Sequence, residues 1–173
     1  EELLEGKAGP EPSKGSAPLG KEEIRLLFVE GSQEAYEQIL KPYFESKERP
    51  LRCLTALARD PEEALRVAGE FTPQLVILDL RLEELNGFEV LQHLKGRYPE
   101  VEVIVITGTY SQEDIEGVVK GLGALACFDK PLDMAALQRQ VFEAALRIST
   151  KAHTAAKSSG PSSDPQSDHG RSA

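Results

Sequence analysis

Apolar positions along the chain change their period in a regular way. Ile24 to Val29 is an apolar run broken once, by Arg25, and reads as a buried strand. Tyr36, Ile39, Leu40 and Tyr43 then recur at helical spacing, and Pro42 is expected to kink or shorten that helix. Leu51 to Leu57 reads as a second strand. Asp60-Pro61-Glu62-Glu63 is a helix start, with Asp as cap, Pro at the first helical position and Glu three residues beyond the cap. Leu65, Ala68 and Phe71 continue one face of it. Leu75 to Leu78 is a third, wholly apolar strand. Asn86 caps a helix that carries Phe88, Leu91 and Leu94 on its buried face. Val101 to Ile106 is the fourth strand. Ser111 caps a helix with Ile115, Val118 and Leu122 on one face, and Gly123 punctuates its end. Ala124 to Phe128 is the fifth strand, and Met134, Leu137, Val141, Ala144, Ala145 and Ile148 mark a long last helix. Strands alternating with helices predict an α/β domain with a parallel sheet covered on both faces.

Both ends depart from this pattern. Residues 6–21 hold four glycines and three prolines without apolar periodicity, the composition of a linker. Glu1 to Glu5 ahead of them reads as the last turn of an upstream helix. The closing stretch is rich in Ser and Pro and nearly free of large apolar residues, so it cannot offset its ordering entropy by burial. The expected division is therefore a linker over 1–21, a domain over 22–149 and a disordered tail over 150–173. His153 and His169 fall in that tail and read as solvated.

Composition narrows the function. At 173 residues and 40% apolar, the chain suits one domain with extensions. Lys and Arg number 20 against 29 Asp and Glu, for a net charge of -9. That balance argues against nucleic-acid binding as the main function and is equally poor for an anionic lipid surface. The longest apolar runs are four or five residues, far short of a membrane span of about 20. No basic-then-apolar signal layout opens the chain. Cys53 and Cys127 have no paired-ligand spacing, which fits free thiols in a reducing compartment and leaves one bridge open. The expectation is a cytoplasmic protein with no direct nucleic-acid contact and no membrane insertion.

In a parallel sheet of this kind, ligands bind beyond the carboxyl ends of the strands. Those ends here are Glu30-Gly31, Asp79, Thr107-Gly108 and Asp129-Lys130-Pro131. Glu30, Asp79, Thr107 and Lys130 are therefore expected to converge. Two carboxylates offer hard oxygen ligands for Mg²⁺. A carboxylate can also carry a phosphoryl group as a nucleophile. A Lys and a Thr hydroxyl can stabilise the charge of that group.

At these residues the chain resembles the receiver domain of bacterial two-component response regulators. LVILDLRLEELNGFEVLQHL, residues 75–94, is similar to the family's phosphoacceptor segment, with Gly87 eight residues after Asp79. VIVITG, residues 103–108, is similar to its fourth strand with the switch Thr, and GALACFDKPLD, residues 123–133, to its fifth strand with the Lys-Pro pair. The resemblance implies a flavodoxin-like (βα)5 doubly wound parallel sheet of strand order 2-1-3-4-5. It implies that Asp79 accepts a phosphoryl group from a histidine kinase or phosphotransfer protein, that Thr107 and Lys130 contact that group, and that the Lys130-Pro131 bond is cis. It implies Mg²⁺ held by Glu30, Asp79 and the backbone carbonyl of Arg81. It implies a switched docking surface for a downstream protein within residues 111–148. The role is signalling, with no enzyme activity beyond self-catalysed phosphotransfer and dephosphorylation.

Two departures qualify this picture. The family ends strand one with two adjacent acids, and here Gly31 stands in the second place, which weakens Mg²⁺ binding. The family's switch aromatic three residues before the Lys is Cys127 here, with Phe128 beside it. These leave an alternative, a phosphorylation-independent pseudo-receiver that serves as a docking module. A nucleotide- or phosphate-loop enzyme is disfavoured, because no GxGxxG or GxxxxGK[ST] follows a strand. His93 lies mid-helix and is no catalytic base, and Glu83-Glu84 reads as a solvated loop. The opening Glu1 and the linker suggest the C-terminal receiver of a longer protein, a hybrid sensor kinase being one candidate host.

Overall fold

The computed structural model describes residues 23–80, 87–108 and 111–158. The strands are β1 (Glu23–Val29), β2 (Arg52–Ala58), β3 (Leu75–Asp79), β4 (Glu102–Thr107) and β5 (Ala126–Asp129). The helices are α1 (residues 33–44), α2 (Pro61–Phe71), α3 (Gly87–Arg97), α4 (Gln112–Gly121) and α5 (Met134–Ser158). All strand pairs are parallel, and the sheet runs β2-β1-β3-β4-β5. This is the doubly wound, flavodoxin-like order that the resemblance implies. Strand order reverses between β1 and β3, so the crevice at their carboxyl ends is the expected ligand position.

Alternation along each strand builds two cores. Leu27, Val29, Val76, Leu78, Val103, Val105 and Cys127 face α2, α3 and α4, packing on Ala64, Ala68, Leu91, Leu94, Ile115 and Val119. Leu26, Phe28, Leu75, Ile77, Ile104 and Ile106 face α1 and α5, packing on Tyr36, Leu40, Phe44, Leu137, Val141 and Ala144. All of β3 is buried, which is why its sequence is an apolar run rather than an alternation.

Several local signals hold at atomic detail. The Asp60 side chain accepts from the Glu63 N–H at 2.8 Å, with Pro61 next in the chain. Ser111 Oγ accepts from the Asp114 N–H at 3.3 Å, and Gly123 ends the turn after α4 at φ 102°. The Asn86 cap lies outside the described residues, as do Arg81, Glu83-Glu84, His169 and the linker over 1–21.

Two expectations need correction. The last helix does not give way at residue 150 but continues to Ser158. Residues 150–158 are TKAHTAAKS, and Ala and Lys favour a helix without any buried face. Thr150 and Thr154 return their hydroxyls to the carbonyls of Leu146 and Thr150, at 2.9 and 3.0 Å. Residues 159–173, the rest of the expected tail, lie outside the described residues. Second, Val118 is 53% exposed, and Val119 takes the buried place beside Ile115. At Pro42 the expected disturbance takes a specific form, and α1 ends two residues later, at Phe44. The helix widens to π turns over Tyr36–Leu40, where the Lys41 N–H reaches the Tyr36 carbonyl, and resumes as α-helix over Lys41–Phe44. The wider turn absorbs the missing Pro N–H and leaves Ile39 facing solvent at 56% exposure.

Both cysteines are free and buried. Burial pushes the Cys53 thiol up to about 12, with Glu45 adding to it. Burial likewise pushes Cys127 up to about 11, helped by Asp129 and Glu116. At pH about 8 the thiolate is then roughly one part in a thousand at Cys127 and less at Cys53. Iodoacetamide should therefore label neither cysteine in the folded chain, and both should react once urea unfolds it. Fast labelling without denaturant would contradict the packing described.

Candidate functional site

The ends of β1, β3, β4 and β5 each place one polar residue at the same edge of the sheet. The Glu30 N–H donates to the Ala58 carbonyl at 3.0 Å, which extends the β1–β2 ladder one residue and fixes the Glu30 backbone. Its Oε1 accepts the Ser32 N–H at 3.2 Å, and Ser32 Oγ in turn caps α1 by accepting the Ala35 N–H at 3.1 Å. Asp79 closes β3 and is 3% exposed. The next residue, Leu80, donates its N–H to the Ile106 carbonyl at 2.9 Å and so ties the chain after Asp79 to β4. Thr107 closes β4 at 1% exposure, and its carbonyl accepts the Lys130 N–H at 2.8 Å. The Lys130-Pro131 peptide is cis.

Lys130 links the acids. Its Nζ donates to Asp79 Oδ2 at 2.5 Å and lies 3.8 Å from Glu30 Oε2. The Asp79 side chain is 4% exposed and that of Glu30 16%, so the ammonium offsets two poorly hydrated carboxylates. Burial pushes the Glu30 carboxyl above its usual range. The Ser32 N–H opposes that shift, the Asp79 charge adds to it and the Lys130 charge opposes it. The geometry thus brings Glu30, Asp79 and Lys130 together, with Thr107 joined through its backbone bond to Lys130. Arg81 lies outside the described residues.

Two positioning residues escaped the sequence reading. Ser32 holds the Glu30 carboxylate, and the chain offered only a helix-cap signal for it. Gly108 gives the Lys130 stem its lane, since a Cβ there would sit 3.2 Å from Lys130 Cδ. This approach of Gly108 to Lys130 joins residues that follow two different strands and has no local signature. Cys127 faces the α2–α4 core, and Phe128 packs on the opposite face among the residues against α1 and α5. No ring therefore stands at position 127 beside α4. A cavity of about 420 Å³ lies elsewhere, between Phe44, Leu51, Val141 and Phe142, and none of the four convergent residues lines it.

The family model for the response regulator receiver domain matches residues 28–142. The chain belongs to that family. It is similar to the regulator of RpoS of Escherichia coli K12, with 34% identity over 119 residues. That match covers 68% of this chain but 34% of the relative, so the chain spans about a third of that protein's length. Among solved structures, NtrX from Brucella abortus superposes with a TM-score of 0.67 at 21% identity, covering 78% of this chain and 30% of that one. The receiver domain of a LuxO-type repressor protein from Vibrio parahaemolyticus gives 0.63 at 24% identity, covering 76% of this chain and 97% of that one. These structural likenesses concern the fold.

Receiver domains generally bind Mg²⁺ at their acidic site. The described donors here do not fit that ion well. Position 31 is glycine, and Asp79 and Glu30 both face the Lys130 ammonium. Among the described residues, no group of three or more His, Cys, Asp or Glu side chains could hold a metal. Also among them, no helix is long and apolar enough to cross a membrane.

Proposed function

We propose that this receiver domain accepts a phosphoryl group on Asp79 from the phosphohistidine of a histidine kinase or phosphotransfer protein. The observation that carries the reading is the buried Asp79 carboxylate at the end of the central strand, hydrogen-bonded by Lys130. A carboxylate oxygen attacks phosphorus, a P–O bond forms, the P–N bond breaks and the imidazole leaves and takes up a proton. Lys130 then offsets charge on the phosphoryl oxygens, and the Thr107 hydroxyl, on the adjoining strand end, turns toward them. The new group adds nearly two negative charges to a site with one ammonium, and that imbalance biases the neighbouring surface between two arrangements. The surface proposed to respond lies within residues 111–148, where Val118 of α4 presents an apolar side chain to solvent. A downstream protein docks there. The chain's own chemistry is limited to phosphotransfer onto Asp79 and its reversal by hydrolysis.

The test is intact mass after incubation with acetyl phosphate, with Asp79→Asn alongside. Wild type should gain one phosphoryl mass and the variant none. A folded wild-type chain that gains nothing would sink the reading. A second reading draws on Gly31 and on Cys127, which puts no ring beside α4. It is a docking module indifferent to phosphorylation, and it predicts equal partner binding by wild type and Asp79→Asn.

A further inference from the structure

We infer that Lys130 is the resident cation of the acidic crevice, and that Gly31 leaves the crevice one carboxylate short of holding a divalent ion beside it. The inference deepens the reading of Asp79 as phosphoacceptor: the charge that opposes the phosphoryl group is then the ammonium alone.

Charge and donors carry the argument. Glu30 and Asp79 supply two negative charges and Lys130 returns one, so the crevice has a net charge of about -1 before any ion enters. One oxygen of Glu30 already accepts the Ser32 N–H, and one oxygen of Asp79 accepts from Lys130. A Mg²⁺ ion needs near-octahedral oxygens at about 2.0–2.1 Å and gives up its waters reluctantly. To enter, it must share Asp79 with the ammonium and finds only two carboxylates in return for its waters. A third carboxylate would raise the net charge to about -2 and supply a fresh ligand.

The fold does not forbid that third acid. A Cβ built on Gly31 meets nothing within 4 Å. Among the described glycines only Gly123 has a positive φ, so residue 31 needs no glycine backbone. Residue 31 is also exposed and stands next to Glu30. The missing ligand is therefore a single side chain, absent from a position that has room and backbone for it. Residue 31 sets whether this receiver uses a divalent ion.

The test is a Mg²⁺ titration of the full 173-residue chain by amide chemical shifts, with NaCl matching the ionic strength. Wild type should show no saturating shift at the Glu30 and Leu80 amides up to roughly 10 mM. Gly31→Asp should show a saturating shift at those amides, with an affinity at least about tenfold higher. Lys130→Met, which removes the resident cation, should also tighten Mg²⁺ binding. It answers the question independently if Gly31→Asp fails to fold. Wild type saturating as tightly as Gly31→Asp would overturn the inference. So would a failure of both folded variants to gain affinity. None of these readouts needs a phosphorylated Asp79, so a chain that never gains phosphoryl mass still decides the point.

Discussion

One methyl group at position 87 should lower the unfolding free energy by about 3 kcal/mol. A Cβ on Gly87 would lie 2.6 Å from Leu80 Cα and 2.8 Å from the Leu80 carbonyl oxygen. Both are backbone atoms, so no side chain can turn aside. Leu80 cannot easily retreat, because its N–H is bonded to the Ile106 carbonyl and its neighbour is Asp79. Relief requires α3 to lift from the sheet, which would loosen Val90, Leu91 and Leu94, all buried. Gly96 on the same helix is the internal control, since a Cβ there meets nothing within 4 Å. Gly96→Ala should stabilise by about 0.5–1 kcal/mol through helix propensity and a less free unfolded chain. Urea denaturation of the two variants should thus move the midpoint in opposite directions. A Gly87→Ala chain as stable as wild type would show that α3 does not sit where described.

That contrast shows what was legible in the chain and what was not. The elements came from period: the alternation of strands and helices, the Asp60 and Ser111 caps and the turn at Gly123 are local, and each is found as read. The four strand-end residues were legible because a parallel sheet gathers its carboxyl ends. What period cannot carry is contact between distant residues. The close approach of Gly87 to Leu80 follows from how α3 lies on β3, although the eight-residue spacing in the motif is its trace. The reach of Lys130 to Asp79 spans 51 residues and depends on strand order, which only the resemblance implied. Local rules served unequally at the two ends of the helix set. Pro42 disturbs α1 as expected, although the widening to π turns ahead of it has no signal in the chain. The Ala- and Lys-rich run past Ile148 is set aside on a burial argument drawn from its composition, while its intrinsic preference for helix carries α5 to Ser158. At α4 the error was one of phase, since Val118 and Val119 are adjacent and only one can face the sheet.

Lys130→Met should cost about 2 kcal/mol near pH 7, and the loss should shrink as the pH falls. Breaking a buried ion pair typically costs about 3–5 kcal/mol, because the surviving charge is left without a partner. Lys130 is 33% exposed on its side chain, so water screens part of the interaction and the lower figure applies. Asp79, at 4% side-chain exposure, is the stranded charge, and Glu30 faces it. The pH direction follows from Glu30. Burial already raises its carboxyl above the unfolded value, so between those two values the folded state binds more protons than the unfolded chain. Stability therefore falls as pH rises through that window and returns as pH drops. Lys130 is one of the two influences that hold the Glu30 value down, so its removal raises that value and extends the window upward. Urea unfolding at about pH 7 and about pH 5 should show the variant's deficit narrowing at the lower pH. Adding Glu30→Gln should recover most of the loss at the higher pH, since one of the two opposed charges is gone. An equal deficit at both pH values would assign the loss to packing of the Lys130 stem against Gly108, and not to its charge.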